Sequence, residues 1–108
     1  MRIVYNKLYK YEFALFKGEP LEKAFKWTDS SLKIENYRSS DACVFRNPSQ
    51  KAHVIWFKSK KPGVNQVAHE AFHSVFHVIH HLEAPLVSET EECWAYLLDW
   101  TVTEILKK

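Results

Sequence analysis

The sequence predicts an α+β domain: a small antiparallel or mixed sheet with a short helix near the N-terminus, followed by two long C-terminal helices. Three observations predict it. Apolar residues alternate with a strand period at 9–16, and β-branched and aromatic residues crowd 42–58. From Val64 onward the apolar spacing becomes helical. The length, 108 residues, suits one domain over 1–108, with the short helix and strands in 1–62 and the two long helices in 63–108.

Each element has its own local reason. In "YKYEFALF" (9–16), Tyr9, Tyr11, Phe13 and Leu15 occupy alternate positions, so a strand is expected. In "GEPLEKAFKW" (18–27), Pro20 suits the first turn of a helix, and Leu21, Ala24 and Phe25 recur at helical spacing. Within the ambiguous 28–40, "LKIENY" is read as a short strand. "ACVFR" (42–46), the turn-forming "NPSQ" (47–50) and "AHVIWFK" (52–58) form a hairpin whose second strand is well buried. After the break at "KKPG", a helix runs from Val64 to about Leu82, with Ala68, Phe72, Val75, Phe76, Ile79 and Leu82 on its apolar face, and Pro85 prevents its continuation. A last helix covers Ser88 to Leu106, with Ser88 and Glu91 spaced as a capping box. Its apolar face centres on Trp94, Ala95, Leu98, Val102 and Ile105.

Composition narrows the functions. A hydrophobic content of 46% excludes a disordered chain, and aromatics at 15% point to a core filled by a few large side chains. The formal charge of +2 is too small to imply nucleic-acid binding, and Lys58, Lys60 and Lys61 read as a solvated loop. Cys43 and Cys93 form no spaced framework and read as reduced core residues. The opening "MRIVYNKLYKY" has no apolar signal region, and no apolar run is long enough for a membrane span, so a cytoplasmic protein is expected. A small domain rich in aromatics also allows a homodimer.

Chemistry concentrates in "VAHEAFHSVFHVIHH" (67–81), which holds five of the six histidines. Its "HEAFH" (69–73) is an HExxH motif. Residues four apart share a helix face at about 6 Å, so His69 and His73 can chelate one ion. Glu70 projects about 100° round the helix, beside the ion rather than on it. From there it can take a proton from water on the metal, leaving a nucleophile near neutral pH. With six histidines and ten glutamates in the chain, chance alone yields such a motif in roughly 3% of cases.

The remaining histidines fall outside that site. His77 is about 12 Å along the rod from His69, too far for one ion with bonds of about 2 Å. It could pair with His73 round a different ion, but a supporting or exposed role is favoured. His80 lies too far along the helix, and His81 faces elsewhere. A third ligand must therefore come from elsewhere in the chain, and the last helix opens with "SETEECWAYLLDW" (88–100). Glu91 points near the centre of that helix's apolar stripe and Glu92 to its edge. His69 and His73 also sit at a stripe edge, so edge-to-edge packing favours Glu92 over Glu91.

HExxH followed about twenty residues later by a glutamate on a second helix resembles the gluzincin metallopeptidases. Glu92 with Ala95, an ExxA spacing, looks like their third-ligand helix. More narrowly, "VAHEAFHSVFHVI" with "ETEECWAYLLDW" is similar to small zincin-like proteins of tailed bacteriophages and prophages, over roughly residues 52–106. The resemblance implies a minimal zincin-like domain, one zinc ion per chain on His69, His73 and Glu92, and Glu70 as general base. It also implies a peptide or protein substrate and, for a phage protein, the cytoplasm of a bacterial host. The larger peptidases add subdomains that build a cleft, for which this chain has little room. They often add a Tyr or His for the oxyanion, a role open here to Tyr96 or Tyr37. The metzincin pattern fails, because Phe76 and Ile79 stand at its glycine and third histidine.

Asp99, seven residues after Glu92, could accept a hydrogen bond from a ligand histidine and fix its tautomer. His53 is expected to be a satisfied strand histidine. The strand 52–58, as a sheet edge, would accept an extended peptide. The expected function is thus a zinc-dependent metallohydrolase, a small peptidase in which Glu70 activates metal-bound water against a peptide carbonyl. The alternative is a non-enzymatic phage or host interaction module that keeps the metal site. A histidine-rich metal store would instead need several ions and His77 and His80.

Overall fold

The two most apolar segments of the chain become the interior strands of a four-stranded sheet. A computed structural model describes residues 1–27, 33–47, 52–81 and 87–107. The strands are β1 (Arg2–Asn6), β2 (Tyr11–Lys17), β3 (Ala42–Asn47) and β4 (Ala52–Phe57), in the order β1-β2-β4-β3. β2 and β4 run parallel, with Phe13 opposite His53 and Leu15 opposite Ile55. The outer pairings are antiparallel, so the sheet is mixed. The helices are α1 (Leu21–Phe25), α2 (Val64–His81) and α3 (Glu91–Leu106). The chain groups into two units, Met1–Gly63 and Val64–Lys108.

In the first unit, one face of the sheet builds a core from Ala14, Phe16, Cys43, Phe45, Val54 and Trp56 with Leu21 and Ala24 of α1. The Trp56 indole N–H donates to the Glu19 carbonyl at 2.8 Å, which ties β4 to the entry of α1. On the other face Phe13, Leu15, Ile55 and Phe57 are also buried. Interior strands buried on both faces read as continuous apolar runs rather than as strict alternation.

Several expectations change. The strand read at 9–16 begins at Tyr11, because residues 7–10 form a turn in which Asn6 Oδ1 accepts the Tyr9 N–H at 3.0 Å. β1 was not expected at all. Within "LKIENY", Ile34–Tyr37 form a 3-10 turn rather than a strand, and its period of three sets Ile34 and Tyr37 on the same side, against the core, while Leu32 lies outside the described residues. Pro20 stands at the N-cap of α1 rather than inside it. The hairpin of β3 and β4 forms with Ala42 opposite Phe57, while residues 48–51 of its turn lie outside the described residues. β4 is not a sheet edge. β2 and β3 occupy both of its sides, so no peptide can add to it.

In the second unit, α2 packs against α3. The expected capping box does not form: Thr90 is the N-cap of α3 and makes no side-chain cap bond. The Trp94 N–H donates to the Thr90 carbonyl at 3.2 Å, and Ser88 belongs to the preceding turn. Both helix faces are rotated from expectation. On α2 the buried residues are Val67, Glu70, Ala71, Ser74, Val75, Val78 and Ile79, whereas Ala68, Phe72 and Phe76 are exposed. On α3 they are Trp94, Leu97, Thr101 and Ile105, and Ala95 is exposed. Leu82 and Pro85 lie outside the described residues. Among the described residues no helix is long and apolar enough to cross a membrane, and no disulfide joins the cysteines.

Candidate metal centre

Helix periodicity alone brings His69 and His73 together. One turn apart on α2, their imidazoles converge until the two Nε2 atoms are 3.0 Å apart, with the rings edge to face. Both histidines are exposed, so the pair opens to solvent. When both imidazoles are neutral, one ring nitrogen donates and the other accepts.

Glu70 differs in environment. It is only 5% exposed and lies on the same side of α2 as Ser74 and Val67. Its carboxylate Oε2 is fully buried and has no hydrogen-bond partner. Burial pushes the Glu70 carboxyl above the ordinary carboxylate range, and the nearby His69 and His73 offset part of that rise. A buried, partnerless carboxylate oxygen costs stability, so its retention points toward a ligand or a proton.

Ligand atoms of His69, Glu70 and His73 all lie within 4.8 Å of one another, the one such cluster among the described residues. The donor set fits a metal. Two nitrogens on a tetrahedral ion at 2.0–2.1 Å stand about 3.3–3.4 Å apart, a few tenths of an ångström beyond the observed separation. Two imidazoles and a carboxylate suit zinc better than the all-oxygen preference of magnesium or calcium. The cluster therefore suggests a zincin-like metal-binding motif.

The other expected site residues lie on α3. Glu92, Tyr96 and Asp99 are exposed there, and neither Glu92 nor Glu91 belongs to the cluster. The Trp94 ring nevertheless lies 5.7 Å from that of Phe72 and 6.3 Å from that of Phe76, which holds the first turns of α3 beside the motif. Tyr37, in the 3-10 turn, packs edge to face on Phe45 of the first unit's core. His77 and His80 engage Phe76 instead of the pair. His77 meets that ring edge-on, and His80 stacks on it with an interplanar angle of 12°. His53 is buried against Tyr11, but its Nδ1 is buried and makes no hydrogen bond among the described residues, so the expectation of a satisfied strand histidine is not met at that atom; the side chain of His81 lies outside the described residues.

Phe72 and Phe76 are the residues whose setting the sequence misstated. Their spacing matched the apolar stripe, and nothing local distinguished a core phenylalanine from one presented to solvent. Comparison with family models, curated proteins and solved structures finds no match to this chain.

Proposed function

We propose that this protein is a zinc-dependent metallohydrolase, a small peptidase with a gluzincin-type ligand set. The observation that supports it most is the exposed His69–His73 pair set against the buried, partnerless carboxylate of Glu70. His69 and His73 would hold the ion through Nε2. Glu92 would supply the third ligand: it stands in the first turn of α3, its side chain makes no hydrogen bond or ion pair among the described residues, and it is two residues from the Trp94 that adjoins the motif. Glu91 is the competing ligand on the same turn.

A bound zinc ion would supply Lewis acidity toward a carbonyl oxygen and make water more acidic. Glu70 then takes the proton of the attacking water on Oε2 and passes it to the leaving amine. Burial raises the proton affinity of Glu70, the direction that suits a base. The exposure of the histidines admits an extended substrate, while burial of Glu70 holds the carboxylate in one orientation. Tyr96 is the candidate donor to the developing oxyanion, and Asp99 the candidate acceptor for an imidazole N–H. A phage or prophage origin, with action in a bacterial cytoplasm, rests on the resemblance alone.

The test compares wild type with Glu70→Gln for zinc content and peptide turnover. Retained zinc with lost turnover supports the peptidase. Zinc retained by both with no turnover by either, across a broad peptide library, would favour an interaction module. Absence of zinc from protein purified without chelators, and none taken up on addition, would remove both readings.

A further inference from the structure

We propose that Phe72 and Phe76 form the side-chain subsite of this centre, selecting peptides with an aromatic or large aliphatic residue next to the scissile bond. The inference rests on the peptidase reading and gives it a substrate class. Phe72 and Phe76 are 43% and 47% exposed, although both lie against other aromatic rings. Their own rings stack at 6.5 Å with an interplanar angle of 29°. Trp94, itself 8% exposed, lies beneath both. His80 extends the stack on Phe76 at 6.1 Å. The result is a braced aromatic ledge rather than two loose side chains, and such a contiguous apolar surface marks a contact site.

Its position fixes the occupant. Phe72 is three residues from His69, and Phe76 is three from His73, so each ring begins about 5–6 Å from a ligand histidine. Successive Cα atoms of a peptide are about 3.8 Å apart. A carbonyl held over the histidine pair therefore places the neighbouring side chain on the ledge. Among the residues forming this ledge none is acidic or permanently charged, so an apolar or aromatic side chain loses no ion pair on entering. Ring-on-ring stacking adds a preference for aromatics over area burial alone.

The test uses zinc-loaded full-length protein and two metal-directed probes, acetohydroxamate and 3-phenylpropanohydroxamate. The phenyl probe is expected to bind about tenfold or more tightly, the effect of burying one ring. Phe76→Gln and, independently, Phe72→Ala should bring the ratio of affinities near one, with zinc content measured alongside. Equal affinities in wild type, no binding of either probe, or an unchanged ratio in variants that still hold zinc would overturn the subsite. The two ideas fail separately. A phenyl preference with no peptide cleaved refutes the peptidase and keeps the subsite. Cleavage indifferent to the flanking side chain does the reverse.

Discussion

Replacing Glu70 by glutamine should abolish the proposed activity and yet stabilise the metal-free protein. The carboxylate is 5% exposed, and its Oε2 has no hydrogen-bond partner. A buried polar group left unsatisfied costs about 1–3 kcal/mol, more when charged. Glutamine keeps the shape and removes the charge but leaves an amide in the same place, so the net gain is about 1 kcal/mol. In a chain of this size that raises the melting temperature by about 4–8 °C.

The pH dependence has a definite sign. Burial raises the folded-state pKa of Glu70. As pH rises past the unfolded value of about 4.3, the unfolded chain gives up its proton first, and the folded state falls behind in stability until its own raised pKa is passed. Wild type alone suffers this loss. The advantage of Glu70→Gln should therefore be small at pH 4 and larger at pH 8, as read by urea unfolding in the presence of a chelator. With zinc supplied, turnover should fall by about 10²–10⁴-fold while the metal stays bound. A variant less stable than wild type at pH 8, or equally favoured at both pH values, would refute the account of Glu70 as a strained buried base.

Other outcomes are equally definite. His69→Ala should leave the metal-free unfolding free energy within about 0.5 kcal/mol of wild type, because the side chain is exposed. Zinc at a hundredfold excess over its dissociation constant should stabilise wild type by about 2.7 kcal/mol and leave this variant unmoved; calorimetric scans with and without chelator decide it. Thr101 is fully buried in α3 and its Oγ1 has no partner, so Thr101→Val should stabilise by about 1 kcal/mol in urea unfolding. Gly18 has φ +73°, and an added Cβ would lie 2.9 Å from the Lys60 Cβ and 3.0 Å from its Cα. Gly18→Ala should accordingly destabilise by about 2 kcal/mol, a shift that thermal unfolding resolves.

What could be read from the sequence was what local spacing controls. The i, i+4 approach of His69 and His73 needs only a helix, and the helix was evident. The β3–β4 hairpin was legible because two apolar runs flank a short polar segment. β1 was not. Its apolar run is only Ile3-Val4-Tyr5, Val4 and Asn6 are buried while Tyr5 is exposed, and Asn6 serves the following turn. Nor does any local pattern announce that β2 pairs with β4 in parallel, since that pairing joins segments about forty residues apart. The choice between Glu91 and Glu92 depends on the rotation of α3, and composition constrains that weakly: the residues buried there include Thr101 but not Ala95.

The misread phase of α2 explains how one helix can carry the histidine pair, the buried carboxylate and the aromatic ledge of the proposed site. Taking His69 as zero at about 100° per residue, the buried Val67, Val78, Ala71, Val75 and Ile79 span about 160–280°, Glu70 lies near 100°, His73 near 40°, and Phe72 and Phe76 near 300° and 340°. The helix thus has one wide apolar arc. Most of it is buried; its far end, at the two phenylalanines, stays half open beside Trp94. A pattern search assuming a narrow stripe places its centre too near that open end. The order round the helix is then buried carboxylate, exposed chelating pair, exposed aromatic ledge, buried face. Glu70 sits where the apolar face ends and the chelating face begins. That is the position at which a carboxylate is desolvated enough to hold a proton and near enough to the histidine pair to deliver it. Exchanging Glu70 with Gln66, about 60° from His69 and half-buried, would move the carboxylate onto the wetter side and remove the burial on which its proposed role as a base depends. Such a double variant should keep zinc and lose turnover; if it kept turnover, burial of Glu70 would have no part in the chemistry.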